Sequence, residues 1–307
     1  MPAHKVFVSG ATGTVGSTVA RQLRTLDWEV HTTTRNTDSP AAQTLASIGV
    51  KIHPGSWTDP DALEAAMAGC DLLFLILMPD LADMASELVF GKVILRVAKA
   101  AGVKQVVYST ALTPPGIDSQ PMMRAAHQSK KLVAAEIQDA GFQHWTVLQP
   151  GYFMANLLAP KVNMMYPGAT ETGLFVFAFT PEMKLPMVDT ADIAAFAVAA
   201  FQNPDQFHGK TLGVVSEIVT VERAIETLRR ATGRNIRAKY LKDEEELEEA
   251  KKSNPFLFVQ EVLRDNPGFG AQAEVVEEGE RLGFELGTFE RFVQREREAL
   301  EETYQKV

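Results

Sequence analysis

Lys5-Val6-Phe7-Val8-Ser9-Gly10-Ala11-Thr12-Gly13-Thr14-Val15-Gly16 is the stretch on which the fold turns. It opens as a short apolar strand. After the glycines, Val15, Val19, Leu23 and Leu26 recur at helical spacing, which predicts a helix over residues 14–26. A G-x-x-G-x-x-G pattern between a strand and a helix is the setting in which such a loop holds a dinucleotide. Gly10 permits the sharp turn, and Gly13 lets backbone amides approach a pyrophosphate with no Cβ in the way. Gly16 lets the helix pack closely on the sheet. The helix start offers free N–H groups and the positive end of its dipole to phosphates, so the amides around Thr12, Thr14 and Val15 complete the expected cradle.

Outward from this loop, buried strands alternate with amphipathic helices. Strands are expected at residues 29–34, 50–53, 72–77, 105–109 and 145–148, with helices at 43–48, from Asp59-Pro60-Asp61 onward, at 91–101 and at 129–140. Near-continuous apolar strands between helices predict an α/β fold, a doubly wound parallel Rossmann sheet. Beyond Pro150 the pattern loosens into Tyr152, Phe153, Met154, Met164, Met165, Tyr166, Phe175, Phe177 and Phe179. A helix at 189–201, a strand at 212–215 and a helix at 221–232 follow. The expected organisation is a dinucleotide-binding domain over residues 1–150, completed by about 187–217. A smaller, mostly helical C-terminal lobe takes residues 151–186 and 218–307.

Composition excludes several classes. The 307 residues are 46% hydrophobic and 22% charged with a net charge of −9, which disfavours general nucleic-acid binding. The start reads as no signal peptide, and the longest apolar run, 72–78, is too short to span a bilayer, so no membrane association is expected. A single cysteine, Cys70, allows no intrachain disulfide and fits a cytoplasmic location. The six histidines are scattered, and no metal site is expected. Monomer and homodimer both stay open.

The second strand bears on the cofactor. An NAD site usually places an acid at its end. Here it ends Thr33-Thr34-Arg35-Asn36, and the Arg35 guanidinium suits a 2'-phosphate that an acid would repel. NADP(H) is the expected cofactor.

Gly10 to Gly16, Thr34-Arg35-Asn36, Val107-Tyr108-Ser109-Thr110, Gln149-Pro150-Gly151-Tyr152-Phe153-Met154-Ala155-Asn156 and Pro186-Met187-Val188-Asp189-Thr190-Ala191-Asp192-Ile193 together resemble the NmrA-like group of atypical short-chain dehydrogenase/reductases, over most of the chain to about residue 235. The resemblance implies a Rossmann core, a small substrate lobe and a preference for NADP(H). It also implies one of two functions: reduction of a small apolar or aromatic carbonyl, quinone or enone, or redox sensing with little turnover and a regulatory protein partner.

Short-chain reductases usually carry Tyr-x-x-x-Lys, in which the lysine binds the nicotinamide ribose and lowers the tyrosine pKa. This chain departs from that pattern. No tyrosine stands four residues before Lys130 or Lys131; Ala126 and His127 hold those positions, and both registers stay open. Candidate catalytic residues are therefore Lys130, Lys131, His127 as a general acid or a solvated histidine, and Ser109. Tyr108 points to the opposite face from Ser109 and reads as packing. Gly55-Ser56-Trp57 replaces the Gly-Asp-aliphatic loop of relatives, leaving Ser56 to hydrogen-bond and Trp57 either to cover the adenine or to join the core. Leu77 and Met78 should pass the ribose and nicotinamide, with Tyr152 beside the cofactor. Thr110, Met122, Phe153 and Met154 are expected in an apolar substrate pocket between the lobes. Titration with both cofactors tests the Arg35 reading: NADPH should bind more tightly than NADH, and equal or tighter NADH binding contradicts it.

Overall fold

The structure is a computed structural model that describes residues 4–78, 80, 83, 85–113, 121–266, 268–270 and 272–307, with the backbone alone for 121–123, 125 and 126. The chain divides into two compact units. The first comprises Met1–Leu112, Pro121–Pro150 and Thr190–Val214, the second Thr113–Gln120, Gly151–Asp189 and Val215–Val307.

In the first unit the chain runs β1 (Lys5–Val8), α1 (Thr14–Thr25), β2 (Glu29–Thr34), α2 (Pro40–Ser47), β3 (Lys51–Pro54), α3 (Pro60–Met67), β4 (Leu72–Ile76), α4 (Ser86–Ala100), β5 (Gln105–Ser109), α5 (Pro121–Asp139) and β6 (His144–Pro150). It returns as α6 (Thr190–Gln202) and β7 (Lys210–Val214). The seven strands form one sheet in the order β7-β6-β5-β4-β1-β2-β3, every pair parallel. Val6, Phe7 and Val8 are fully buried, as are Leu73, Phe74 and Leu75 in β4, as a sheet covered by helices on both faces requires. Helix α6 lies on α1, where Thr18 donates to the Thr190 hydroxyl (3.2 Å).

Local chemistry sets the helix starts. Ser39 and Asp59 cap α2 and α3 through side-chain oxygens, each followed by proline in the first turn. Capping by Ser39 starts α2 three residues earlier than its apolar pattern indicates. Helix α1 ends at Thr25, which leaves Leu26 outside it and exposed. Helix α4 begins at Ser86, ahead of the 91–101 stretch that continues it, and α5 begins eight residues before the expected 129.

The second unit contains strands that the sequence pattern does not announce. Lys184–Val188 pairs antiparallel with Glu217–Thr220 and parallel with Tyr152–Phe153, and Leu174–Phe177 pairs parallel with Arg237–Tyr240. Phe175, Phe177 and Phe179 are buried at a period of two, the strand period, and pack with Tyr166, Tyr304, Phe289 and Phe292. The rest of the unit is mostly helical. Arg295 donates through two nitrogens to the buried Asp189 carboxylate (2.7 and 3.0 Å), and Tyr304 donates to the Leu157 carbonyl (2.7 Å).

At the β2–β3 edge of the first unit, a charged cluster ties the two strands together. Glu29 meets Lys51 (2.7 Å), Lys5 (3.3 Å) and His31 Nε2 (2.8 Å), while His31 Nδ1 lies 3.1 Å from His53 Nε2. The Lys51 and His31 contacts hold the Glu29 carboxyl down at about 2. Burial, with His31 and Lys51 adding repulsion, pushes the His53 imidazole below its ordinary value of 6.5. Both groups take up protons more readily in the unfolded chain, so their contribution to stability is present at high pH and lost on acidification. Stability should therefore fall in two stages, below pH 6.5 as His53 protonates and again from 4.5 toward 2 as Glu29 does. Denaturant midpoints measured against pH check this. His53→Gln should shrink the first stage, and an unchanged pH slope in that variant contradicts the assignment.

Candidate functional site

The glycine loop joins the C-terminal end of β1 to α1. Gly10 adopts φ +59°, and its carbonyl accepts from the Gly13 amide (2.9 Å). A Cβ on Gly16 would lie 2.3 Å from the Gly10 carbonyl oxygen and 2.9 Å from Ala11 Cα, so α1 can approach the loop this closely only through a glycine. Gly13 is the residue before the first helical turn, extended and exposed, and no side chain caps the helix there. The first-turn amides, including those of Thr14, Val15 and Gly16, therefore face the loop without a side-chain acceptor. Ser9 fixes the base of this cradle: its hydroxyl donates to the Ile76 carbonyl and accepts from the Ile76 amide, both at 2.7 Å, locking the ends of β1 and β4 together.

The neighbouring strand ends supply the surroundings. Arg35 and Asn36 are exposed just after β2, although Asn36 Oδ1 is occupied by the Asp38 amide (3.0 Å). After β3, Ser56 Oγ sits 3.0 Å from the Thr58 hydroxyl and accepts from the Thr58 amide, forming a local turn. Trp57 packs against the core and also borders the glycine loop. Its ring packs edge-on to Phe90 (5.8 Å) against the core, and its Cζ2 comes within 3.5 Å of where a Gly10 Cβ would be. After β4, Leu77 is core, while Met78 is 66% exposed. After β5, the Thr110 hydroxyl donates to the Leu148 carbonyl (2.9 Å). Ser109 Oγ is buried with no hydrogen-bond partner among the described residues.

Helix α5 separates the two lysines. Lys131 is exposed, whereas Lys130 shares the inward face with His127, Val133 and Ile137. Lys130 Nζ bonds both oxygens of the buried Glu87 carboxylate on α4 (2.7 and 2.9 Å), and Tyr108 donates to the same carboxylate (3.1 Å). Tyr108 is thus more than packing, and Glu87 is a buried charge that sequence reasoning missed. His127 is buried rather than solvated.

In the second unit, the Tyr152 hydroxyl is 2.7 Å from that of Tyr166, and burial pushes the Tyr152 phenol up to about 12. Met154 is wholly within the core, and Phe153 lies beneath the Lys161 ammonium (5.2 Å). The Met122 side chain lies outside the described residues. Among the described residues, no group of three or more His, Cys, Asp or Glu is placed to hold a metal, and no helix is long and apolar enough to cross a membrane.

Residues 2–292 match the NmrA-like family. An NAD(P)H azoreductase of Xenophilus azovorans is 34% identical over 202 residues, covering 65% of this chain and 64% of that protein, so the match spans slightly under two thirds of the azoreductase. The NmrA-like family domain-containing oxidoreductase himF of Aspergillus japonicus is 27% identical over 293 residues, 86% of this chain and 85% of that protein. The structure of NmrA, a negative transcriptional regulator in complex with NADP, superposes with a TM-score of 0.74 at 17% identity, covering 99% and 98% of the two chains, and establishes the shared fold.

The contact at Gly16 yields a test. Gly16→Ala should cost about 1–3 kcal/mol, because both colliding groups are backbone. Gly13→Ala, whose Cβ would meet only the Gly10 oxygen at 3.3 Å, should fold within about 0.5 kcal/mol of the parent. Urea unfolding of the two variants decides; equal midpoints contradict the close-packing account.

Proposed function

The chain belongs to the NmrA-like family, and on that premise we propose that it is an NADPH-dependent reductase of a small apolar or aromatic carbonyl, quinone or enone. The observation that carries the reading is the cradle at α1: a glycine turn, first-turn amides without a side-chain cap, and a helix held against the loop at a distance only Gly16 permits. These features fit a pyrophosphate. The exposed Arg35 after β2 suits the 2'-phosphate, with Ser56 and Trp57 beside the adenine.

When bound, NADPH supplies the hydride. This chain's residues bind and orient. Lys130, the inward-facing lysine, donates to the nicotinamide ribose, and Ser109, whose hydroxyl has no partner among the described residues, orients the acceptor oxygen. His127, buried on the same helix face, is the candidate proton donor. Met78, exposed after the end of β4, borders the nicotinamide. The names of the azoreductase and of the oxidoreductase himF support reduction as the reaction class.

A second reading, a regulatory NADP(H) sensor with little turnover, is favoured by one observation. Neither lysine has a tyrosine four residues ahead, and the Lys130 charge is balanced by Glu87 rather than left to activate an acid. The structural likeness to a transcriptional regulator is compatible with it.

Loss of NADPH absorbance against a panel of a quinone, an azo dye, an enone and an aromatic aldehyde separates the two. The reductase reading expects oxidation well above the buffer rate with at least one acceptor. Saturable NADPH binding with no oxidation across the panel would overturn it in favour of the sensor.

A further inference from the structure

Glu87 is the second residue of α4, and its side chain is only 1% exposed. A carboxylate withdrawn from water to this extent is costly unless charge and hydrogen bonds compensate it. Three features do so. Lys130 Nζ contacts both oxygens, at 2.7 and 2.9 Å. The Tyr108 hydroxyl donates to Oε1 at 3.1 Å. The first turn of α4 presents the positive end of its dipole. Burial and the adjoining carboxylate push the Tyr108 phenol upward, so it remains a donor.

The surroundings make this a conspicuous choice for a core. Leu75, Leu77, Ile94, Val133 and Ile137 pack in the same layer, and all are apolar. Apolar side chains of matching volume would fill such a space with equal or greater stability, so packing alone does not account for the ion pair. Its three members also differ in access to water. Tyr108 and Glu87 are sealed, while the Lys130 side chain is 21% exposed, so Lys130 is the member of the cluster that reaches the surface.

Position gives that end a use. Tyr108 is the penultimate residue of β5 and lies opposite Leu75 of β4. Helix α4 begins after the C-terminal end of β4, and β4 is the direct neighbour of β1, whose end carries Gly10. Glu87, Tyr108 and Lys130 therefore gather at the edge of the sheet where doubly wound folds bind ligands. An ammonium has three protons; with two directed to the carboxylate, one is left.

We propose that Glu87 is the positioning residue for Lys130: its carboxylate, itself held by Tyr108, fixes the ammonium at the ligand edge with one N–H directed to a ribose hydroxyl of bound NADPH. The inference rests on the cofactor part of the reading above. It also gives Lys130 a particular character. The pair is neutral as a unit, so Lys130 acts as a donor of fixed direction rather than as a free positive charge.

The test is a double-mutant cycle on NADPH affinity, read from the fluorescence of bound NADPH, with Glu87→Gln, Lys130→Met and the double variant. Lys130→Met is expected to weaken NADPH by about tenfold and Glu87→Gln by about three- to tenfold. The double variant should bind no more weakly than Lys130→Met alone, since Glu87 acts only through Lys130. Glu87→Asp, which keeps the charge, should recover part of the loss. A purely structural Glu87 would lower the melting temperature and leave NADPH affinity unchanged; that result, or losses that multiply in the double variant, overturns the proposal. Should Glu87→Gln fail to fold, Tyr108→Phe keeps both charges and is expected to weaken NADPH by about two- to threefold, and parental affinity in that variant counts against it. A parent protein that binds NADPH but reduces no acceptor sinks the reductase reading and leaves this inference to be judged on the affinities. A parent that binds no NADPH sinks both.

Discussion

The backbone contact between Gly16 and Gly10 is the constraint from which the site follows. With no side chain at Gly16, α1 starts so close to β1 that a Cβ would lie 2.3 Å from the Gly10 carbonyl oxygen. The short connection aims the helix N-terminus back over the strand end, and the absence of a side-chain cap leaves its amides for another acceptor. Ser9, bonded twice to Ile76, transmits that position to β4. The strand order β7-β6-β5-β4-β1-β2-β3 then brings the ends of β2, β4 and β5 to the same edge, and with them Arg35, Met78 and Ser109.

Around this steric constraint the molecule spends polar groups in two ways. At the β2–β3 edge, Glu29, His31, His53 and Lys51 join two strands through contacts that depend on pH, a structural use of charge. Between α4 and α5, Glu87 and Lys130 place a fixed charge pair inside an apolar layer, with only Lys130 of the two reaching the surface. The first cluster centres on Glu29 and Lys51, the first residues of β2 and β3, at the opposite end of those strands from their C-terminal ends. The second is beside them, which is why it is read as part of the cofactor site and the first is not.

Much of the first unit was legible because its cues are local. The glycine spacing, the 3.6-residue recurrence of Val15, Val19 and Leu23, and the unbroken apolar runs of β4 and β5 each report a neighbour a few residues away. The second unit was less legible. Phe175 and Phe177 alternate in a strand whose partner, Arg237–Tyr240, lies some sixty residues on, a pairing no local pattern reveals. Tyr152 was assigned to the cofactor, but its hydroxyl is bonded to Tyr166 within the second unit. Glu87 was missed because α4 begins before its periodic stretch. The cue was present, however: Tyr108 is the one residue with a polar side-chain atom between Val106 and Val107 and the strand end at Ser109. The choice between Lys130 and Lys131 was also within reach, since Val133 and Ile137 stand three and seven residues beyond Lys130 and mark its helix face as the buried one.

Whether the cradle at α1 holds the pyrophosphate of NADP(H) is decided by a crystal structure of the protein with NADP+. The account predicts phosphate oxygens within hydrogen-bond distance of the backbone amides between Thr12 and Gly16, with Arg35 at the 2'-phosphate. A cofactor bound with its pyrophosphate away from those amides, or a loop that closes over the amides and excludes it, would contradict the account.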